Sequence, residues 1–394
     1  MRKIKLGYYY HVCALRKDNK VFLPSYLAVF FDELANQVDN LFLFLYEAKT
    51  TSQISSADYP ISAPNITWIN MGSKETAWYR AIFANQIISN KIKDFNSLDA
   101  LIIRSPTPLA PYFSNFKLLN KKLVFMIVSD YKKGAEMIPQ NSFRNFLVKS
   151  FVLWNDRIFK KSLKDKLLIV NSKEIYDDHK HLSNSIYEIK TTTLRNSDFY
   201  IRDNQKLVSP IKLLFTGRFV LQKGLIELFE AVSQLNKDNI ITELHLVGWE
   251  KSDEKPFENK LKVYAKSLNI ESKIIFHGLK AVGDELNAMY RMADIYVLPS
   301  HHEGFPRTIW EAMANSLPVI TTTVGAIPAY LKNQIHALLV PPRDSQSLFN
   351  AIKFLIKNEK HRLVLVENAK KLVSNNTLEN QTKDLIDLIN KKLL

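Results

Sequence analysis

Apolar segments of strand length alternate with helical segments along this chain, and the alternation begins twice. In the first half the predicted helices are Ser25–Ala35, TAWYRAIFANQII and PYFSNFKLL, and the predicted strands are KIKLGYYY, LFLFLYE, NITWINM, ALIIRS, KLVFMIVSD and LLIVNS. After a polar stretch, SDFYIRDNQKLVSP, a second series of strands follows: IKLLFTG, ELHLVGW, KIIFHGL, DIYVLPS, LPVITT and ALLVPP. Near-continuous apolar strands separated by helices are typical of parallel sheets covered on both faces. The sequence therefore predicts an α/β protein with two doubly wound domains.

The polar stretch sets the predicted limits of the two domains. We place the boundary near Asp203–Pro210, with a first domain over residues 1–205 and a second over residues 206–375. Residues 376–394 end in TKDLIDLINKKLL, which is predicted to be a helix. A chain of 394 residues is long enough to bury two sizeable cores.

The cysteine content and the hydropathy of the chain indicate its cellular compartment. The single cysteine, Cys13, cannot form an internal disulfide, which favours a reducing compartment. The N-terminal MRKIKLGYYYHV is basic but runs directly into a strand-like segment, without the apolar core of a signal peptide. No apolar run reaches the ~18 residues typical of a membrane-spanning helix. The sequence predicts a cytoplasmic protein.

Two glutamates frame the segment in which chemistry is most evident, HHEGFPRTIWEAMANSLPVITTTVGAIPAYL. Pro306 suits the first turn of a helix, so Glu303 is predicted to lie in the loop after the strand and Glu311 on the helix. The N-terminus of a helix that follows a parallel strand attracts phosphate. Carboxylates nearby can accept hydrogen bonds from sugar hydroxyls.

This segment resembles the retaining GT-B glycosyltransferases of the GT4 group, whose hallmark is Glu-x7-Glu. The spacing alone is weak, but the likeness continues through LLFTGRFVLQKGLIELFEAV, LPVITTTVGAIP and LLVPPRDSQSLFNAI. The resemblance implies two Rossmann-like domains that face each other across a cleft, an acceptor-binding domain followed by a donor-binding one. It also implies that the final helix crosses back to the first domain.

The resemblance also implies roles for individual residues. Arg218 and Lys223 would bind and neutralise the departing diphosphate, which would remove the need for a metal ion. Glu303 would hydrogen-bond the transferred sugar, and Glu311 would bind the ribose; the alternative is that such residues are ordinary turn, helix-start or solvated side chains. The other positions implied in donor binding are Gly217, His277, Gly278, Leu279, Gly304, Phe305 and Pro306, with His302 packed nearby.

The first half departs from the family pattern. Gly7 is not followed by the second glycine that many members carry after the first strand, so acceptor contacts cannot be carried over. Many members have a histidine after a strand of this domain; here Asp130, or otherwise Arg104 or Ser105, would take that catalytic role. An aspartate at the end of a strand can equally be a helix cap. Ala329 stands where a glutamate commonly follows proline, with no evident consequence.

The expected function is transfer of a sugar from a nucleotide diphosphate sugar to a glycan or lipid-linked glycan, with retention, in the synthesis of a bacterial surface polysaccharide. No metal or other cofactor is expected. A nucleotide-sugar epimerase of the same fold and a non-catalytic sugar-nucleotide-binding scaffold are the alternatives. No Gly-x-Gly-x-x-Gly, Gly-x-Ser-x-Gly or clustered His/Cys pattern supports a dehydrogenase, a hydrolase or a zinc site. Donor sugar, base and acceptor stay open.

Charge is concentrated in the first half of the chain. The net charge is +15, and residues 1–200 hold 28 Lys and Arg against 18 Asp and Glu. In the predicted helix SFRNFLVKSFVLWNDRIFKKSLKDK, basic residues are interleaved with aromatic ones. Either Phe146, Phe151, Trp154 and Ile158 face the core, or part of the helix contacts an anionic membrane surface. No motif for binding nucleic acid accompanies the charge.

Overall fold

The computed structural model describes residues 4–18, 20–48, 59–116, 119, 122–136, 138–139, 141–189, 192–202, 206–250, 252 and 254–394. The chain forms two compact units. One comprises Met1–Thr191 together with Glu379–Leu394, and the other comprises Thr192–Leu378.

The first unit is built on a mostly parallel sheet. Its parallel strands lie in the order β5-β3-β1-β6-β7-β8-β9, while β2 and β4 add antiparallel pairs beside the second half of β1. The sequence analysis did not predict β2, β4 or β9. The strands are β1 (Lys5–Lys17), β2 (Lys20–Leu23), β3 (Asn40–Glu47), β4 (Tyr59–Pro60), β5 (Ile66–Ser73), β6 (Ala100–Ser105), β7 (Leu123–Ile127), β8 (Leu167–Val170) and β9 (Ile186–Glu188).

Helices connect these strands and cover the sheet. Two predicted helices differ in the structure: TAWYRAIFANQII is divided at Phe83, and the described start of PYFSNFKLL belongs to a 3-10 helix over Ala110–Asn115. The core holds many aromatic rings, such as Phe44 stacked on Phe95 with centroids 4.3 Å apart. The helices of this unit are α1 (Ser25–Ala35), α2 (Ala77–Ile82), α3 (Ala84–Ser89), α4 (Ile92–Asn96), α5 (Tyr131–Glu136), α6 (Phe143–Ser162) and α7 (Lys173–His179).

The second unit is a parallel α/β sandwich. Its strands pair in parallel in the order β12-β11-β10-β13-β14-β15, so the order reverses between β10 and β13. Ligands of such sheets bind outside the carboxyl ends of the strands at this reversal. The strands are β10 (Ile211–Thr216), β11 (Thr242–Val247), β12 (Ile274–Gly278), β13 (Ile295–Leu298), β14 (Val319–Thr322) and β15 (Leu338–Val340).

Amphipathic helices cover this second sheet and bury their apolar faces in one core with the strands. They are α8 (Leu225–Lys237), α9 (Pro256–Ser267), α10 (Asp284–Met292), α11 (Arg307–Ala314), α12 (Ile327–Tyr330), α13 (Ser345–Lys357) and α14 (Glu359–Val373). The last helix, α15 (Leu378–Leu393), falls almost wholly in the segment that clusters with the first unit. There, the Lys392 ammonium lies 5.4 Å from the centre of the Tyr187 ring.

The segment before β10 packs on the second unit, although the sequence analysis placed it in the first domain. Tyr200 N–H donates to the carbonyl of Ala314 at 2.9 Å, and the Arg202 guanidinium lies 3.8 Å from the Asp294 carboxylate. The division between the two units therefore lies at Thr191–Thr192, earlier in the chain than predicted. The predicted boundary at 205–206 borders residues 203–205, which lie outside the described residues.

Helix α6 presents a different face to the core than predicted. Phe151 and Phe159 are buried at 7% and 2% exposure, whereas Phe146 and Trp154 are 61% and 49% exposed. Ile158 is half-buried. Of the two alternatives, the one in which Phe146 and Trp154 face the core is wrong, because positions 151, 155 and 159 form the inward stripe of a helix and 146 and 154 lie off that stripe.

Candidate functional site

Glycines bring the loops at the carboxyl ends of the second sheet into direct contact. A Cβ on Gly224, which has a φ of +69°, would lie 1.9 Å from the carbonyl oxygen of Pro299. A Cβ on Gly325 would lie 1.9 Å from the carbonyl oxygen of Glu303. Only glycine fits such approaches, since the added carbon would overlap backbone atoms. The loops after β10, β13 and β14 are therefore packed backbone to backbone.

An ion pair joins two of these loops. Lys223 Nζ donates to Glu303 Oε1, and the Ser300 hydroxyl donates to the same oxygen at 2.7 Å. The Lys223 and Glu303 side chains are only 17% and 12% exposed. The N–H of His301 donates to the carbonyl of Gln222 at 2.8 Å, which holds the loops together. The predicted diphosphate lysine and the predicted sugar-binding glutamate are thus direct partners.

Arg218 lies close to this pair in the chain but has a different environment. It follows Gly217 at the end of β10 and is exposed. An ideal Cβ on Gly217 would lie 3.9 Å from Lys223 Cε, so the backbone of this turn passes beside the lysine stem. No ion pair holds the Arg218 guanidinium among the described residues. Since Glu303 compensates Lys223, Arg218 supplies the uncompensated positive charge of this turn.

The loops that contain the partners of the ion pair each lead into a helix. Helix α8 starts after Gly224 and α11 starts after Pro306, and no side chain of the described residues caps either N-terminus. Pro306 is the N-cap residue of α11 and thus lies one position before the predicted first turn. Uncapped helix N-termini present free N–H groups and the positive end of the helix dipole. Such ends are suited to an anionic ligand.

Glu311 lies on α11 and is held by two hydroxyl groups. Thr193 Oγ1 donates to Glu311 Oε1 at 2.9 Å, and the Tyr290 hydroxyl donates to Oε2 at 2.8 Å. Thr216 Oγ1 lies 2.9 Å from the Tyr290 hydroxyl and extends the network. Burial, followed by the Glu311 charge, raises the pKa of the Tyr290 hydroxyl well above its usual value. Glu311 is therefore a fixed, half-buried carboxylate rather than a solvated one, and it retains lone pairs for further donors.

Thr193 and Tyr290 were missed in the sequence analysis. Thr193 is far from Glu311 in the chain and was assigned to the other domain, while Tyr290 is an apolar-face position of a helix. Neither residue belongs to a motif, and both meet Glu311 only through the packing of the second unit.

The loop after β12 contains the positions predicted to lie against a nucleobase. Gly278 has a φ of +67°, and Leu279 is 55% exposed. His277 Nε2 lies 2.9 Å from His245 Nδ1, and the two rings stack. Burial lowers the pKa of both histidines, so both rings are neutral at pH 7. The pair anchors the start of this loop to β11.

The loop between Glu303 and α11 rests on aromatic packing. Phe305 stacks on Trp310 with ring centroids 4.4 Å apart, and Gly304 accepts a hydrogen bond from the Ala326 N–H at 3.0 Å. His301 Nε2 lies 2.9 Å from the Glu227 carboxylate in the first turn of α8. His302 is exposed, and its neighbour His301 is the histidine that packs in this loop; a position of His302 near the donor stays a prediction.

Asp130 belongs to the first unit and follows β7. Its Oδ1 accepts a hydrogen bond from the N–H of Lys132 at 2.5 Å, in the first turn of α5. This is the contact of a helix cap, the alternative reading of this residue. The two other positions considered for the same role differ: Ser105 is buried, and the Arg104 guanidinium lies 4.7 Å from the centre of the Tyr10 ring.

No group of three His, Cys, Asp or Glu side chains among the described residues is arranged to hold a metal ion. Within the same residues, no helix combines the length and apolar character needed to cross a membrane.

Comparison with known proteins identifies the class of the second unit. Residues 196–372 match the profile of the family described as glycosyl transferases group 1. Mannosylfructose-phosphate synthase of Agrobacterium fabrum is 37% identical over 139 residues, 34% of this chain and 30% of that protein. WcaL of Salmonella typhimurium, a candidate colanic acid biosynthesis glycosyltransferase, is 30% identical over 145 residues, 35% of this chain and 34% of that protein. The chain thus spans about a third of the length of these curated relatives.

Solved structures extend the likeness to the whole fold. A glycosyltransferase of Rickettsia africae superposes with a TM-score of 0.72 at 18% identity, over 100% of this chain and 99% of that one. HepE of Anabaena, solved with UDP-glucose, superposes with a TM-score of 0.69 at 14% identity, over 98% and 100%. The chain has the two-domain GT-B fold, and residues 196–372, which lie within its second unit, are similar to the glycosyl transferases group 1 family. The predicted fold class is confirmed.

Proposed function

We propose that this protein is a retaining glycosyltransferase of the GT4 group that takes its sugar from a nucleotide diphosphate sugar bound by the second unit. The observation that carries the proposal is the half-buried Lys223–Glu303 pair, whose partners lie in the loops that lead into two helices without a side-chain cap. A cation, a carboxylate and two helix N-termini together match a ligand with a diphosphate at one end and hydroxyl groups beside it.

In this proposal each group of the site has one role. Arg218 and Lys223, with the helix N-termini, compensate the charge that develops on the diphosphate as the bond from the anomeric carbon to phosphate oxygen breaks. Glu303 accepts hydrogen bonds from the transferred sugar, and Glu311 accepts them from the ribose. Gly278 and Leu279 lie against the nucleobase. Because Glu303 already accepts from Lys223 and Ser300, its position is set before the donor arrives.

The acceptor hydroxyl attacks the anomeric carbon from the face that the diphosphate leaves. A bond from acceptor oxygen to anomeric carbon forms, the acceptor proton passes to the departing phosphate oxygen, and the nucleoside diphosphate is released. The configuration of the anomeric carbon is retained. Stabilising the departing phosphate is then the main catalytic contribution, and side chains and helix ends supply it without a metal ion.

Asp130 is a second proposed catalytic residue, in the position where related proteins carry histidine. Two substitutions separate catalysis from capping. Asp130→Ser keeps a side chain that caps helices well, whereas Asp130→Ala removes both functions. If Asp130 takes part in the reaction, both variants lose turnover, while only Asp130→Ala also loses stability. Full turnover of Asp130→Ser would leave Asp130 as a helix cap.

We further propose that the acceptor is a glycan or lipid-linked glycan of a bacterial surface polysaccharide, reached from the cytoplasmic side of the membrane. The support is the outer face of α6, where Phe143, Phe146, Leu147, Leu153 and Trp154 are at least 40% exposed. The same helix carries Arg157 and Lys161, both exposed. An exposed aromatic and basic surface is suited to the interface of an anionic membrane. The name of WcaL, which refers to polysaccharide synthesis, agrees with such an acceptor.

One experiment separates transfer from the two alternatives. The protein is incubated with a panel of nucleotide sugars, with and without lipid-linked acceptors, and the products are resolved by mass spectrometry and NMR. A glycosylated acceptor with the anomeric configuration of the donor supports the proposal. An altered free sugar with released nucleotide indicates an epimerase, and binding without any product indicates a scaffold. A thermal-shift screen with UDP, GDP, ADP and CMP sugars identifies the donor.

A further inference from the structure

A cavity of about 510 Å³ lies within the first unit. It opens at the carboxyl ends of the central strands, beside His11 of β1 and Ser105 of β6, and α6 contributes Phe151 and Asn155 to its wall. Trp78 and Arg80 of α2 form another side. Nothing in the reaction described above uses these residues.

Buried polar groups in the cavity wall lack partners. Asn155 is 1% exposed, and neither its amide nitrogen nor its amide oxygen has a hydrogen-bond partner among the described residues. Arg80 is 5% exposed; its Nε donates to the carbonyl of Glu75, but its Nη1 is likewise unpartnered within the described chain. The same holds for His11 Nδ1 and the Tyr131 hydroxyl. Burying a polar group without a partner is unfavourable, so a cluster of such groups indicates a ligand.

The cavity is positively charged. Of the described residues that line it, Arg80 is the one with a formal charge, and no carboxylate is among them. Lys74 and Arg104 lie close enough to act on His11: burial, then Arg80, Lys74 and Arg104, lower the pKa of His11 to about 3. The nearby Asp156 carboxylate is paired with Lys160 at 2.8 Å. An anionic group in this cavity would meet positive charge from several directions without a competing carboxylate on the wall.

The remaining wall is apolar and aromatic. Trp78 stacks on Phe151 with ring centroids 3.9 Å apart, and Trp78 is 44% exposed. Val148 and Val152 complete this side. Flat apolar walls with a few polar groups are typical of sites for small ring-shaped ligands, which the polar groups orient. The free amide of Asn155 can both donate to and accept from hydroxyl groups.

We propose that this cavity is the acceptor site and that it binds a sugar residue carrying an anionic group. Arg80 Nη1 and Asn155 Nδ2 donate to the anionic oxygens, Asn155 Oδ1 accepts from a sugar hydroxyl, and the ring lies against Trp78. The anionic group is the carboxylate of an acidic sugar or a phosphate ester, since both present the same oxygens to Arg80. Calling this ligand the acceptor rests on the proposed function, whereas its binding does not.

Saturation-transfer NMR on the intact protein without donor tests the proposal with glucuronic acid, glucose 6-phosphate and glucose as probes. We expect one or both anionic sugars to bind about tenfold or more tightly than glucose, because a charge-assisted contact to Arg80 adds that much. The preferred anionic probe distinguishes a carboxylate from a phosphate. Equal binding of the three probes, or binding of none, overturns the proposal.

Two variants locate the effect in the cavity. Arg80→Gln should reduce the affinity for the anionic probes to that for glucose, and Lys93→Gln, which removes an exposed cation from α4 of the same unit, should change nothing. If Arg80→Gln does not fold, Asn155→Asp replaces it: a carboxylate in the wall should exclude anionic probes and spare glucose. Unchanged selectivity in the variant that folds contradicts the proposal. UDP binding by the second unit, followed by thermal shift in the same samples, reports separately on the donor site.

Discussion

The two units of this protein differ in how their candidate sites are built. In the second unit, Lys223 already bonds to Glu303, and Glu311 already accepts hydrogen bonds from Thr193 and Tyr290. In the first unit, Arg80 and Asn155 line a cavity with polar atoms that bond to no described residue. The site in the second unit is preorganised and can be recognised by its motifs. The cavity in the first unit is made of single side chains whose hydrogen bonds a ligand would complete.

This difference has a physical origin. The second site depends on backbone approaches that tolerate only glycine, such as Gly224 against Pro299 and Gly325 against Glu303, so short motifs mark it. The first cavity depends on side chains from α2, α6 and strand ends, which can vary without disturbing the backbone. A donor site common to many proteins and an acceptor site particular to one would differ in this way.

The largest expected effect is on turnover. Arg218→Ala should lower kcat by on the order of a hundredfold or more with the fold intact, because an exposed cation that would compensate the departing diphosphate is lost. Initial rates and circular dichroism of the variant give the comparison. Lys260→Ala, which removes an exposed cation from the outer helix α9, should keep full activity. Wild-type turnover of Arg218→Ala would remove Arg218 from the diphosphate site.

The ion pair between the loops should appear in a double-mutant cycle. Lys223→Met and Glu303→Gln should each destabilise the protein by about 3 kcal/mol, because each leaves a mostly buried charge without its partner. The double variant should lose less than the sum, since no unpaired charge is left. Urea unfolding of the four proteins measures the coupling. Strict additivity would mean that the pair has no energetic role.

The stability of the protein should fall in acid because of His11 in the first unit. The pKa of His11 is lowered to about 3 in the folded protein, against about 6.5 in an unfolded chain, so the unfolded chain takes up the proton more readily. His11 therefore contributes stability that is complete above pH 6.5 and is lost as pH falls toward 3. We expect Tm to fall less between pH 7 and 5 in His11→Gln than in the wild type. Parallel Tm curves for the two proteins would contradict this.

Membrane contact by the outer face of α6 is a smaller effect. Binding to anionic vesicles should weaken with salt, and Lys161→Glu and Lys164→Glu should each cost about 1 kcal/mol of attraction. Lys160 is a poorer probe because it is paired with Asp156. Co-sedimentation with vesicles of varied anionic content measures the change, and Lys260→Glu in the second unit is the matched control. Equal partitioning onto neutral and anionic vesicles, or none, would leave α6 as an ordinary solvated face.

The smallest expected effect is that of chelation. If Arg218, Lys223 and the helix N-termini compensate the diphosphate, EDTA should leave the rate of transfer unchanged. The assay compares initial rates before and after chelation, and again after addition of Mg²⁺ or Mn²⁺. Loss of activity that a divalent ion restores would show that the second site needs a metal after all.

Much of the second unit could be predicted from the sequence because its signals are local. Each of its strands lies on a predicted apolar run, and Glu303 and Glu311 are in a loop and on a helix as their spacing indicated. Hydrophobic periodicity and turn-forming residues act over a few positions, so both can be recognised in a single sequence. The resemblance to a known family reached the same segments through their motifs.

Tertiary packing determined two features that local sequence signals do not specify: the buried face of a helix and the boundary between the units. Apolar spacing identified α6 as a helix but not the stripe that faces inward, so whether Phe146 and Trp154 face the core stayed open until the structure showed both exposed. Composition suggested a linker near residue 205, whereas hydrogen bonds from Thr193 and Tyr200 attach the preceding segment to the second unit. Which face is buried and which polar groups pair depend on residues brought from distant parts of the chain. Short-range sequence patterns do not identify those distant partners.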